Sequence, residues 1–342
     1  MPRASLRRLA VVADDLTGAA DAAAPFAARG LAVSVALDGP PPQVDVLAVL
    51  TDNRWRPSDE AARRMRGAVE ATRAWGAESL FIKIDSTLRG RVRDDVVTAL
   101  SAWPGTAVAT PAFPEQGRLV RGGALLVHGE TTVARVAERF PQQVDVLDAA
   151  TAEDLLAIAS RIVADDLVAI GSGGLSRALA EVLVPQAQPV DRPEPARAGV
   201  LVVAGTPHPV TREQVRRLAA DGRDAAALRA GRRVVLTADV DGELDPDGPA
   251  AAAHAVELGA TVRGIVDEVP GVRLVLTGGA TALAVANALG ATELRLHGEV
   301  APGLPIGALL TGDRAVPVVT KSGGFGAPDA LCRAVEALEV HA

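Results

Sequence analysis

Residues 9–23 read LAVVADDLTGAADAA. Five apolar residues, Leu9 to Ala13, stop at two adjacent aspartates, and Thr17-Gly18 then opens an alanine-rich run. A short continuous apolar stretch marks a strand buried on both faces. Aspartate and threonine are the residues that start helices. The stretch therefore predicts a strand, a polar turn and a helix. The same alternation recurs along the chain. Strands are predicted at 32–37, 46–50, 80–84, 106–109 and 167–170, then at 200–204, 234–237, 272–276 and 316–320. Helical patterns lie between them at 17–29, 58–75, 93–102, 152–163, 175–184, 210–220, 249–269, 280–289 and 328–338. This alternation predicts an α/β fold of mostly parallel sheets with flanking helices.

The chain has 342 residues, which at about 150 per domain predicts two domains. Residues 185–198, PQAQPVDRPEPARA, hold four prolines and little apolar content. They predict a linker over 186–198 between domains 1–185 and 199–342. Apolar residues make up 49% and charged residues 23%, enough to bury a core. A net charge of −7 argues against a broad grip on nucleic acid or an anionic membrane. Five phenylalanines, three tryptophans and no tyrosine argue against base stacking. A single cysteine, Cys332, leaves no disulfide framework and no Cys-type zinc site. There is no uninterrupted apolar run of about 18 residues. The opening MPRASLRRLAVVADD ends its short apolar stretch in acids, unlike a signal peptide. The expectation is a cytoplasmic protein with no nucleic-acid or membrane partner, and self-assembly into a homo-oligomer stays open.

Ligands of parallel sheets bind beyond the carboxyl ends of the strands, and the unusual residues cluster there. Asp14-Asp15 could hold a metal, bind sugar hydroxyls or act as a base, although a helix cap explains one of them. Thr51-Asp52-Asn53-Arg54 and Pro111–Glu115 follow two more strands. Lys83 to Arg89, KIDSTLR, packs two cations, one acid and two hydroxyls into seven residues. Lysine and arginine both suit carboxylate or phosphate oxygens. Only two of the 35 basic residues are lysines, Lys83 and Lys321, and both fall in these clusters. In the second half, Gly205-Thr206-Pro207-His208, Thr277–Thr281 and Lys321–Gly326 each follow a strand. Three glycine loops at strand ends point to nucleotide phosphate binding. There is no G-x-x-x-x-G-K-[ST], and Gly171–Ser176 lacks the third glycine of G-x-G-x-x-G. The five histidines show no ligand spacing, and only His208 lies in a site-like loop. The sequence therefore assigns no metal ligands.

Taken in order, the motifs VVADDLTGAADAA (11–23), FIKIDSTLRGRV (81–92), TPAFPEQGR (110–118), IGSGGLSRALA (170–180), VVAGTPHPVTREQV (202–215), LTGGATALAVANALG (276–290) and the run 305–331 that ends in KSGGFGAPDAL resemble the four-carbon acid sugar kinases. The resemblance implies a two-domain α/β kinase with an N-terminal sugar-acid domain, a C-terminal nucleotide domain and its active site in the interdomain cleft. It implies ATP, with Mg²⁺, as phosphate donor. The acceptor would be the terminal hydroxyl of threonate, erythronate or a 3-oxo-tetronate. Asp14, Asp15, Arg54, Lys83, Asp85, Ser86 and Arg89 would line the acid pocket. Gly205, Thr206, His208, Gly278, Gly279, Ala280, Thr281, Lys321, Gly323 and Gly324 would form the nucleotide loops.

Within this scheme Lys83 or Arg89 pairs with the acid's carboxylate, and Asp15 or Asp85 orients the attacking hydroxyl. Lys321 sits on the ATP phosphates. Ala280 stands where the family has an acidic residue, Thr206-Pro207-His208 replaces a serine-rich loop, and the segment after Gly122-Gly123 is shortened. The first two departures motivate an alternative, a catalytically impaired kinase-like sensor of sugar acid and nucleotide. A dehydrogenase using Gly171–Gly174 is a weaker third.

Overall fold

The computed structural model describes residues 8–186, 198–218, 224–237, 249–312 and 314–339. Apart from its end residues, the predicted linker 186–198 lies outside the described residues, as do residues 219–220 of the helix predicted at 210–220. The chain divides into two compact units, residues 1–36 with 40–190, and residues 37–39 with 191–342.

The first unit carries strands β1 (Leu9–Ala13), β2 (Val33–Ala36), β3 (Val46–Leu50), β4 (Ser79–Lys83), β5 (Ala107–Thr110), β6 (Arg118–Arg121), β7 (Ala124–Val127), β8 (Glu130–Val133), β9 (Val144–Val146) and β10 (Val168–Gly171). Its helices are α1 (Leu16–Ala27), α2 (Ser58–Trp75), α3 (Val92–Ala102), α4 (Ala152–Ala164) and α5 (Gly173–Leu183). The main sheet runs β2-β3-β1-β4-β10-β5-β9, and every neighbouring pair is parallel. From β1 the chain builds β3 on one side and β4 on the other, so the strand order reverses at β1. Such a reversal opens a crevice at the carboxyl ends of the strands. All five residues of β1 and all twelve of α1 are buried. A helix buried all round must be apolar and small-sided to fit between layers, which its alanines supply.

The sequence reading had no strands at 118–133. Those strands form a separate antiparallel sheet, β6-β7-β8. Each has only four residues, and β8 is largely exposed, so hydrophobic periodicity is weak. The turns carry the signal instead. Gly122-Gly123 joins Arg121 to Ala124 and His128-Gly129 joins Val127 to Glu130. All four turn residues have positive φ, from 50° to 90°, the geometry of tight two-residue hairpins.

The second unit carries β11 (Val200–Ala204), α6 (Pro209–Arg217), α7 (Ala225–Arg229), β12 (Val234–Thr237), α8 (Pro249–Glu268), β13 (Arg273–Thr277), α9 (Gly279–Leu289), β14 (Glu293–Ala301), β15 (Leu304–Leu310), β16 (Ala315–Lys321) and α10 (Ala330–Glu339). Its sheet order is β12-β11-β13-β16-β15-β14. The first four strands are parallel, and β14 and β15 add antiparallel edges. Val200, Val202, Val275, Val319, Leu331 and Val335 share one core between the sheet and α10. Among the described residues, no helix is long and apolar enough to cross a membrane.

Candidate functional site

The acid cluster of the first unit grows from the end of β1. Asp15 is extended (φ −143°, ψ 159°) and caps α1. Its Oδ1 accepts from the Gly18 amide at 2.6 Å and the Thr17 hydroxyl at 2.8 Å. The cap reading is therefore true of Asp15, but it uses one oxygen only. Asp15 Oδ2 lies 2.5 Å from Arg54 Nη2. Asp14 takes the same guanidinium at two points, accepting from Nε at 2.7 Å and Nη2 at 2.8 Å. Asp85 Oδ2 stands 3.9 Å from Arg54 Nη2. One planar fork thus faces three carboxylates, an arrangement a lysine point charge cannot reproduce. Gly90, at φ +81°, lets the arginine stem pass: a Cβ there would lie 3.1 Å from Arg54 Cγ.

The turn after β4 completes the cluster. Asp85 Oδ1 accepts from the Thr87 amide at 2.9 Å and hydroxyl at 2.5 Å, and Oδ2 accepts from Arg89 Nη2 at 2.6 Å. Ser86 is buried in the same turn. Arg89 keeps half its side chain exposed, 52%, whereas Lys83 is buried and donates to the Ile84 carbonyl at 3.0 Å. A Cβ on Gly18 would lie 3.3 Å from both Lys83 Nζ and Asp15 Oδ1, so Lys83 borders the network. Asp14, Asp15, Arg54, Lys83, Asp85, Ser86 and Arg89 are therefore neighbours, contributed by the ends of β1, β3 and β4.

Burial alone would raise the pKa of Asp85, but the Arg89 hydrogen bond and the charges of Arg54 and Arg89 hold it well below the usual range. For Asp15, burial is likewise outweighed by Arg54 and Lys83, and its pKa is lowered. Both are carboxylates at neutral pH, and Arg54 is held firmly cationic against its own burial by Asp14 and Asp15.

Asp95, Arg118 and Asp21 were not read from the sequence as part of this site, and Asn53 was read only as a member of the 51–54 cluster, without a role. Asn53 Nδ2 donates to Asp95 Oδ1 at 3.0 Å, and both residues are buried. Burial, then the charge of Asp14, pushes Asp95 up to about 7. Arg118 is buried within the electrostatic reach of Asp85. Asp21 and Asp95 lie on helices, Asn53 on a loop and Arg118 at the start of β6, and only the tertiary fold brings them inward. Asp95 gives a pH prediction. A carboxyl raised above its unfolded value stabilises fully below 3.8, and that contribution is lost as pH climbs through about 7. Asp95→Asn should therefore lose less stability than the wild type between pH 4 and 8, measured as the shift in urea midpoint.

In the second unit the three glycine loops meet. A Cβ on Gly278 would lie 3.3 Å from Thr206 Cβ, one on Gly323 would lie 2.9 Å from Thr206 Oγ1, and one on Gly324 would lie 3.0 Å from His208 Nε2. Gly205 packs on the Thr281 hydroxyl so closely that a Cβ would overlap it. Thr206 and His208 thus wedge the loops after β11, β13 and β16 together, and Gly278 sits at φ +91°. Gly279 and Ala280 open α9, with Ala280 exposed. His208 caps α6, its Nδ1 accepting from the Val210 amide at 3.2 Å.

Lys321 is fully buried. Its ammonium donates to the Ser322 carbonyl at 2.9 Å, the Thr211 hydroxyl at 3.1 Å, the Phe325 carbonyl at 3.2 Å and the Gly323 carbonyl at 3.3 Å. Gln214 Nε2 donates to the carbonyls of Phe325, Gly326 and Ala327. Where the sequence reading put Lys321 on phosphate, its ammonium here faces its own loop. Burial pushes its pKa down to about 7. A peptide unit is planar and trans, so its N–H points opposite to its C=O. Carbonyls drawn inward by Lys321, Thr211 and Gln214 therefore turn the amides of Gly323, Gly324, Gly326 and Ala327 the other way.

Comparison with known proteins places these clusters in a family. Residues 9–141 match the model described as "Sugar-binding N-terminal domain", and residues 231–331 match "Nucleotide-binding C-terminal domain". A D-threonate kinase of Bordetella bronchiseptica is 33% identical, over 96% of this chain and 97% of its own. A 3-oxo-tetronate kinase of Methylobacterium radiotolerans is 31% identical, over 96% of this chain and 98% of its own. A Haemophilus influenzae protein of solved structure shares the fold, with a TM-score of 0.69 at 19% identity over 96% of this chain and 100% of its own. With full-length similarity of this kind and both domain models in sequence order, the chain belongs to the four-carbon acid sugar kinase family.

Proposed function

We propose that the protein transfers the terminal phosphoryl group of ATP to the terminal hydroxyl of a four-carbon sugar acid, with D-threonate the first acid to test. Its family makes it a phosphotransferase with an alcohol acceptor and a nucleotide co-substrate. The observation that carries the reading is the cluster at the ends of β1, β3 and β4, three carboxylates around Arg54 with Lys83 and Arg89 beside them. A small polyhydroxy anion needs cations for its carboxylate and acceptors for its hydroxyls, and this cluster supplies both. The loops wedged by Thr206 and His208 support phosphate binding in the second unit.

Lys83 or the half-exposed Arg89 meets the carboxylate. Between the two aspartates weighed for the attacking hydroxyl, Asp15 is favoured. Asp85 already accepts from Thr87 and Arg89 through both oxygens, whereas Asp15 Oδ2 faces Arg54 alone among the described residues. A carboxylate has room for about four hydrogen bonds, so Asp15 can take one more. Phosphoryl transfer asks mainly for alignment and charge stabilisation. A low-pKa carboxylate that orients a hydroxyl suffices for that. Lys321 acts by shaping its loop.

The residues at 205–208, 278–281 and 321–324 include no carboxylate, and the acids of the first unit face Arg54 and Arg89. These side chains do not make a protein-held Mg²⁺ site, so the ion belongs to the nucleotide as it arrives. Ala280 and Thr206-Pro207-His208 favour a second reading, a sensor that binds both ligands without turnover. The purified protein, given ATP, Mg²⁺ and in turn D-threonate, D-erythronate and 3-oxo-tetronates, should yield a phosphorylated acid and ADP. Binding by calorimetry with no product from any acid would favour the sensor.

A further inference from the structure

Asp21 is the one charged residue of α1, a helix with no exposed position. It is 2% exposed, and among the described residues neither carboxylate oxygen has a hydrogen-bond partner. Native proteins rarely leave a buried carboxyl so, and where they do the group has a task. The backbone has been shaped to admit it. Gly173, the first residue of α5, lies against the carboxylate, and a Cβ there would stand 2.4 Å from Asp21 Oδ2. The Ser176 hydroxyl, one turn further along α5, goes to the Ala22 carbonyl instead.

The charges around Asp21 point to its partner. Gly18, one turn earlier on the same face of α1, lies against Lys83 Nζ. Lys83 is paired in the sheet with Gly171, two residues before Gly173. Asp21 and Lys83 thus approach the same spot from α1 and from β4. Burial pushes the Asp21 carboxyl up to about 6. The positive charge of Lys83 pulls hardest against that, Arg177 next, while Asp15 and Glu115 add to the rise. Asp15 is already committed to Gly18, Thr17 and Arg54. Asp21 is the nearby acid whose oxygens have no hydrogen-bond partner among the described residues.

We propose that Asp21 is a positioning residue of the acid pocket, the buried counter-charge that holds the Lys83 ammonium where the acid's carboxylate meets it. The proposal deepens the kinase reading above and rests on it. Asp21 is too enclosed to touch substrate and acts through Lys83, as outer residues orient the groups that do the binding.

Two opposite signs distinguish this role from a structural one. Asp21→Asn removes a carboxylate whose burial outweighs the pull of Lys83 and Arg177, so the melting temperature should hold or rise. At the same time KM for D-threonate should rise about tenfold, with KM for ATP unmoved and kcat changed by less than about threefold. Gly173→Ala should raise KM for D-threonate in the same way, because its Cβ displaces the carboxylate. Added to Asp21→Ala, it should raise KM no further. A lower melting temperature with unchanged KM in Asp21→Asn makes the residue merely structural and overturns the inference. Should that variant fail to fold, an unmoved KM in Gly173→Ala overturns it equally. A wild-type protein that phosphorylates none of the acids brings down the kinase reading and this inference together, whereas an active wild type with unmoved variants brings down this inference alone.

Discussion

Arg54→Met should abolish most of the activity and loosen the first unit in one stroke. The guanidinium is mostly buried and bonded to Asp14 and Asp15, with Asp85 at 3.9 Å. Removing it leaves three carboxylates together with their shared cation gone. Breaking a buried ion pair from one side costs about 3–5 kcal/mol, because the other charge remains unpaired. Loss of the alignment that Arg54 imposes on Asp14 and Asp15 should cut kcat/KM by roughly 10³-fold, in line with the loss of one preorganised group in other active sites.

The pH dependence should also steepen. In the wild type Asp15 and Asp85 have lowered pKa values. Their contribution is present above 3.8 and fades as pH falls below it. In Arg54→Met that cation is gone, and burial with mutual repulsion drives the pKa values upward, less for Asp85, which keeps Arg89. A carboxyl raised in this way contributes stability at acid pH that is lost as pH increases. In the wild type both acids stay ionised between pH 5 and pH 8 and add no slope there, so the urea midpoint should fall more steeply over that interval in Arg54→Met, and an equal fall in both proteins would contradict the argument. Arg54→Lys should recover part of the stability and little of the activity, since a point charge cannot serve two carboxylates with a planar fork.

Lys321→Met should be the largest single loss on the nucleotide side. Methionine fills the space but takes the charged donor from the carbonyls of Ser322, Gly323 and Phe325, which keep only the Phe325 amide, the Thr211 hydroxyl and Gln214 respectively. A hydrogen bond to a charged group is worth about 1.5–3 kcal/mol, so with three lost the loop should relax by turning its peptides over. The amides of Gly323 and Gly324 would turn with them. KM for ATP should rise by about 10²-fold, equivalent to about 2.7 kcal/mol, while KM for the sugar acid stays within about twofold. Lys321→Arg should not rescue, because the site is fully buried and already filled. Equal loss toward both substrates would mean that the loop does not act on nucleotide specifically.

The main sheets were legible because their strands are short unbroken apolar runs and their loops carry the polar residues. LAVVA followed by Asp-Asp, and LFIKI followed by Asp-Ser-Thr, each place a site residue within one turn of a strand end. Of the missed strands, β15 is buried but carries a proline and a glycine, LPIGALL, whereas the others are at least partly exposed. β14, ELRLHGEVA, alternates and carries a glycine that breaks the run, and its register shifts between Leu296 and Gly298. Asp21 and Asp95 were illegible for a different reason. Each sits on a helix, where an acid reads as the solvent side, and only the packing of α1 and α3 shows that these acids face inward. The assignment of Lys321 to phosphate came from its charge, its glycine-rich loop after a strand and the family resemblance. Its actual acceptors lie up to four residues ahead in its own loop, and on α6 about 110 residues away in sequence.

The helix that carries Asp15, Gly18 and Asp21 has no side facing water. Every position on it is therefore answerable either to the layers it separates or to the pocket it floors. Few changes there can be neutral, whereas Arg89, half-exposed at the far end of the turn after β4, has room to vary.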